Sequence, residues 1–218
     1  MNSSNVKILN SKAIKNLFSK LRCKNADSST FIKYSTRLMK ILAEEAIAEL
    51  PGHEAIIETP CGQYHGLNIP ENNCIAVSIV RAGDSLLDAV RSCIPDIPVG
   101  KILIQRDESS EEKKPILFYK KLPKNLVKEN KAVLLVDPML ATGGSAVCAI
   151  QVLLDEGVLE ENIIFVNVVS CPEGLKLLNE KHPRVKIVTA AMDEKLNEDR
   201  YIVPGVGDWG DRFFGTED

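Results

Sequence analysis

At 218 residues the chain is long enough for one large domain with a sizeable buried core. A net charge of −3 argues against a surface built for nucleic acid. No run reaches the roughly 18 apolar residues of a membrane-spanning helix, and no signal-peptide pattern follows Met1, so a reduced, cytoplasmic setting without membrane contact is expected. The six cysteines form no Cys-x-x-Cys pair and the three histidines are dispersed, which excludes a zinc constellation.

Residues 1–29 are polar, with one weakly amphipathic piece at 14–21, and read as a partly ordered extension ahead of a single domain over 30–218. Apolar residues at Phe31, Tyr34, Leu38, Ile41, Leu42, Ala46 and Ile47 step by three and four, predicting a helix over about 30–49 that stops at Pro51-Gly52. Residues 54–59 and 63–66, parted by Pro60-Cys61-Gly62, read as a hairpin-like arm. Ile75–Val80 is a nearly continuous apolar run, the pattern of a strand covered on both faces. A turn at Arg81-Ala82-Gly83 and a short helix at 85–93 follow. Val99–Ile104 is the next strand, ending at Gln105-Arg106-Asp107. The charged stretch 107–114 reads as an excursion able to close as a lid, with 116–119 returning as a strand. A strand at 133–136, a helix at 145–156, a strand at 163–169, a helix at 172–179 and a strand at 185–190 complete the series. This alternation predicts an α/β fold with a parallel sheet and helices on both faces.

The densest chemistry lies in Asp137-Pro138-Met139-Leu140-Ala141-Thr142-Gly143-Gly144-Ser145. A strand ends in a carboxylate, and a Thr-Gly-Gly-Ser loop then opens a helix. Backbone N–H groups and the helix dipole favour a phosphate there, and the hydroxyls add donors. No Lys follows the glycines, so this is not a Walker A loop. The carboxylate suits ribose hydroxyls, and the whole suits a sugar phosphate. Ligands of such sheets bind beyond the carboxyl ends of the strands, where Arg81 and Arg106 also fall. Two guanidinium groups at that rim suit several phosphates. A second dense motif, Tyr201–Thr216, contains a formal GxGxxG at Gly205, Gly207 and Gly210. Too little chain follows for a dinucleotide-binding unit, so these glycines read instead as close backbone approach to a flat ligand.

Together Arg81-Ala82-Gly83, Gln105-Arg106-Asp107, Asp137–Ser145, Thr189–Asn197 and Tyr201–Thr216 resemble the uracil phosphoribosyltransferases, type I phosphoribosyltransferases of pyrimidine salvage. The resemblance runs from about Phe31 to Thr216. It implies a type I phosphoribosyltransferase fold with flanking helices, a β-arm and a C-terminal base-binding hood. It also implies a Mg²⁺-dependent reaction of uracil with 5-phosphoribosyl 1-diphosphate (PRPP) that yields UMP and diphosphate. By the same resemblance Asp137, Pro138, Met139, Leu140, Ala141, Thr142, Gly143, Gly144 and Ser145 hold the ribose 5-phosphate. Arg81 and Arg106 contact the diphosphate, and Asp208 lies on the PRPP and metal side. Ile202, Gly207, Asp208 and Trp209 bracket the uracil, largely through backbone atoms, and Arg106 and Asp208 are the catalytic candidates. Some members respond to GTP, and the arm resembles the element by which the family forms dimers or tetramers. Two departures stand out: Pro138 replaces the usual second acid after Asp137, as in the uracil branch, and Asp84-Ser85-Leu86 lacks an expected Met. The alternatives are a transferase for another base and a non-catalytic nucleotide-binding regulator of the same fold.

Overall fold

The computed structural model describes residues 5–106, 115–124, 126–127 and 130–216, with Arg106 described by its backbone. In chain order the elements are β1 (Val6–Ile8), α1 (Lys12–Leu21), α2 (Ser28–Ile47), β2 (His53–Thr59), β3 (Gly62–Asn68), β4 (Cys74–Val80), α3 (Gly83–Cys93) and β5 (Val99–Arg106). They continue with β6 (Pro115–Lys121), β7 (Ala132–Val136), β8 (Met139–Leu140), α4 (Gly144–Asp155), β9 (Ile163–Ser170), α5 (Pro172–Lys181), β10 (Lys186–Met192), β11 (Lys195–Leu196), β12 (Ile202–Val203) and α6 (Trp209–Phe214).

The main sheet runs β1-β10-β9-β7-β4-β5-β6, with β8 added to β9. Its pairings are parallel except that of β5 with β6. The predicted strands and helices are all present, with ends moved by a residue or two. The segment 107–114, expected to close as a lid, lies outside the described residues.

The continuous apolar strands split by parity onto two faces, as a period of two requires. Cys74, Ala76, Leu134, Val136, Ile164 and Val166 pack with α1, α2, α3 and Trp209. Ile75, Val77, Val133, Leu135, Ile163 and Phe165 pack with Ala146, Ala149, Ile150 and Leu153 of α4 and with Leu175 and Leu178 of α5. From β4 the chain passes through α3 to β5 on one side. From β7 it passes through α4 to β9 on the other. The switch point therefore lies between the carboxyl ends of β4 and β7, where such sheets bind ligands.

Residues 5–29 belong to this fold rather than preceding it. β1 extends the main sheet, pairing Val6 with Ile187 and Ile8 with Thr189. Ser11 caps α1, and Ile14, Leu17, Phe18 and Leu21 are buried on one helical stripe. The β2–β3 hairpin stands apart as its own two-stranded sheet, with Ile56, Tyr64 and Leu67 exposed.

Candidate active site

Two loops leave the switch point side by side. The first, Arg81-Ala82-Gly83, opens α3, and its Val80–Arg81 peptide is cis. Gly83 sits so close to β7 that a Cβ there would lie 2.5 Å from the Val136 carbonyl oxygen and 2.8 Å from Ser78 Oγ. Glycine is required by this approach. The second loop runs from Asp137 to Gly143. Asp137 donates its N–H to the Val166 carbonyl, and its carboxylate accepts from the Met139 N–H. Burial pushes this carboxyl up to about 7, with the Met139 hydrogen bond opposing the shift.

Gly143 takes the left-handed conformation (φ 85°) at the N-cap of α4, and no side chain caps the helix. Among the described residues no side chain caps the first N–H groups of α4, which is the setting for a bound anion. The loop is seated on the start of α5. The Cys171 N–H donates to the Leu140 carbonyl, the Cys171 thiol donates to the Ala141 carbonyl at 2.9 Å, and Gly174 lies too close to Ala141 for any Cβ. Pro138 and Leu140 act as scaffold. Both are buried, and their carbonyls accept from Val168, Val169 and Cys171.

The hood is built by the short β11–β12 hairpin and the loop into α6. Gly205 (φ 59°) and Gly207 (φ 78°) bend the chain after Pro204. Asp208 caps α6 by accepting the Asp211 N–H at 2.9 Å. Its second carboxylate oxygen has no partner among the described residues. Trp209 is 1% exposed, with its ring against Phe31 and Phe213 and its Nε1–H donating to Ser85 Oγ at 2.9 Å. What this residue offers a ligand is therefore its backbone.

A cavity of about 560 Å³ lies between loop and hood. Met139, Ala141, Ile202, Gly207, Asp208 and Trp209, all anticipated from sequence, share its walls. Gln105, Asp199, Arg200 and Tyr201 also line it and were not singled out as ligand residues. Strand alternation could have found Gln105, since Ile102 and Ile104 of the same strand are buried. Arg200, one residue ahead of the Tyr201–Thr216 motif, brings a cation to the cavity wall.

Arg81 does not line the cavity. Its guanidinium donates to Asp211 at 2.7 Å and to Thr216 Oγ1 at 2.9 Å, across the face of Gly210. The Thr216 hydroxyl in turn donates to Asp211 Oδ1 at 2.7 Å. The hydrogen bonds from Thr216, the larger cause, and from Arg81 hold the Asp211 carboxyl below the usual carboxylate range. The Ser85 hydroxyl, accepting from Trp209, donates to the Ala82 carbonyl. The first loop and the hood are therefore joined at two points.

A helix N-terminus left open by a glycine and a C-terminal hood, meeting at the switch point of such a sheet, form the architecture of a type I phosphoribosyltransferase. The solved orotate phosphoribosyltransferase of Mycobacterium tuberculosis has the same fold, with a TM-score of 0.51 at 13% identity, covering 84% of this chain and 91% of that one. The family model described as "Uracil phosphoribosyltransferase" matches residues 8–216, and the chain belongs to that family. It is 49% identical over 98% of its length to the "Uracil phosphoribosyltransferase" of Dictyostelium discoideum, covering 98% of that protein. It is 46% identical to "Uracil phosphoribosyltransferase 1" of Schizosaccharomyces pombe, over 98% of this chain and 96% of that one. The solved AQ2163 protein of Aquifex aeolicus superposes with a TM-score of 0.82 at 31% identity, covering 97% and 99% of the two chains.

Proposed function

We propose that this chain transfers the 5-phosphoribosyl group of PRPP to N1 of uracil, giving UMP and diphosphate. The observation that carries the reading is the single cavity shared by the Met139–Ala141 loop and the Ile202–Trp209 hood. Family membership supplies the base. The 5′-phosphate rests on the uncapped N-terminus of α4, and the ribose hydroxyls donate to Asp137. Those donors favour the ionised carboxylate that burial disfavours. Holding the sugar in this way sets C1′ against N1 of uracil.

Cleavage of the C1′–diphosphate bond sends the electron pair to the leaving oxygen and leaves positive charge on the ribose ring. N1 bonds to C1′ with inversion, and its proton passes to water or to the diphosphate. Arg81 and Arg106 stabilise the leaving oxygens. Arg81 must exchange Asp211 for the diphosphate, and an exposed ion pair of this kind resists little. Mg²⁺ takes one or two carboxylates together with phosphate oxygens and waters. Asp208, with one oxygen engaged in capping, fits that demand, and the described residues hold no group of three His, Cys, Asp or Glu that would bind an ion alone. When bound, the ion would neutralise charge developing on the leaving group.

Uracil presents acceptor, N3–H donor and acceptor along one edge. Backbone N–H and C=O groups at 207–209 match that order, and cytosine reverses two of the three. A site of this kind rejects the wrong partner by roughly 10⁴-fold. The exposed apolar side chains of the β2–β3 arm support a homodimer or homotetramer. No described helix is long and apolar enough to cross a membrane. Labelled uracil supplied with PRPP and Mg²⁺ tests the proposal, with cytosine and orotate as controls, GTP as an added effector and chelation of the metal as a further arm. UMP should form from uracil alone among the bases. Turnover of orotate at Arg200 would move the base assignment, and PRPP binding without turnover would favour the regulator.

A further inference from the structure

The hood has a brace that the chemistry above does not use. Arg22, the residue that ends α1, faces Asp193, which follows β10. Their side chains are 22% and 5% exposed. The guanidinium grips both carboxylate oxygens, Nη1 on Oδ2 at 2.7 Å and Nη2 on Oδ1 at 2.6 Å. The same Nη1 donates to the Gly205 carbonyl at 2.7 Å, and Asp193 Oδ2 accepts the Gly205 N–H at 2.8 Å. One ion pair thus fixes both polar groups of Gly205. The next residue is held from the other side, since Arg212 Nη1 donates to the Val206 carbonyl at 2.6 Å and to the Leu21 carbonyl at 3.0 Å. Gly207, the following residue, lines the cavity.

The location of this pair is hard to explain as simple stabilisation. Taking two charges out of water offsets most of their attraction, so a buried ion pair is weak evidence for stability. What this pair does provide is geometry. A planar fork with two parallel bonds fixes direction as well as distance. Gly205, at φ 59°, has no side chain to hold its own conformation. The edge that reads a nucleobase through backbone atoms must be immobile, because nothing else distinguishes correct from incorrect partners.

We propose that Arg22 and Asp193 are positioning residues that set the backbone of Val206 and Gly207 for recognition of the base, so that the N-terminal helix determines uracil affinity. The inference rests on the uracil reading above. It assigns no contact with PRPP to either residue.

The test is steady-state kinetics on full-length Arg22→Gln and Arg22→Lys, with melting temperature recorded for each. Misplacing the reading edge should raise the KM for uracil by on the order of tenfold or more, while the KM for PRPP moves less than about twofold. Arg22→Lys, with the charge but not the fork, should recover part of the loss. Should Arg22→Gln not fold, Arg22→Gln/Asp193→Asn leaves no buried charge unpaired and carries the same readout. A merely structural role would lower the melting temperature and leave both KM values in place, which would overturn the proposal. Proportional rises in both KM values would overturn it too. Wild-type protein that makes no UMP would overturn the uracil reading and this inference together. Normal wild-type turnover with an unmoved KM ratio would overturn this inference alone.

Discussion

Asp137→Asn separates the binding role of this carboxylate from its effect on the fold. A carboxyl raised from 3.8 to about 7 favours its protonated form in the folded chain. Its contribution to stability is then fully present below pH 3.8 and is lost as the pH rises through about 7. Between those limits the loss amounts to about 1.4 kcal/mol per pH unit, or roughly 4 kcal/mol in all as an upper bound. Asparagine has the same shape, can still accept the Met139 N–H and carries no charge. Urea unfolding of both proteins at pH 5 and pH 8 measures the difference. Asp137→Asn should gain on wild type by up to a few kcal/mol between the two pH values, while PRPP turnover falls by about an order of magnitude or more at pH 8, where the wild-type carboxylate is ionised. Parallel stability profiles would refute the argument from burial. A collapsed fold at pH 8 would make Asp137 a structural residue and not a ribose ligand.

Two further substitutions probe the joints of the site. Gly83→Ala places a methyl group 2.5 Å from the Val136 carbonyl, where backbone must move. It should lower stability by about 1–3 kcal/mol and raise the KM for PRPP, measured by thermal melting and initial rates. Trp209→Phe removes the donor to Ser85 and should lower stability by about 1–3 kcal/mol, read by circular dichroism in urea. The penalty should shrink in a Ser85→Ala background, and an undiminished penalty would show that the hydrogen bond contributes nothing.

The catalytic half of the molecule was legible because its signals are local. Strand β7 is an unbroken apolar run, β4 and β9 are interrupted internally only by Ser78 and Asn167, and the Asp137–Ser145 turn follows directly from β7. The first 29 residues were less legible for the same reason. β1 is three residues long and gains its identity from β10, while the polar residues around it dilute any pattern. The stripe Ile14, Leu17, Phe18 and Leu21 was readable as amphipathic, but nothing local says what it covers. Charged contacts were the least visible. Arg22 meets Asp193 across 171 residues and Arg81 meets Asp211 across 130. Placing Arg81 at a strand end was sound, yet its partner could not be read from spacing.

The route of the chain also bears on its synthesis. β1 has its sheet partner at 187–189, Asn5 donates to the Val185 carbonyl, and Arg212 returns to the Leu21 carbonyl. A ribosome releases the first of each pair long before the second. α1 and β1 therefore leave the exit tunnel with an apolar stripe and an open edge that nothing can yet cover. Such segments are where nascent chains meet chaperones or each other. Closure of the hood over the N-terminal segment is thus tied to synthesis of residues 185–212. A chain truncated before residue 185 lacks β10 as well as the hood, and so leaves its own N-terminus unsheltered.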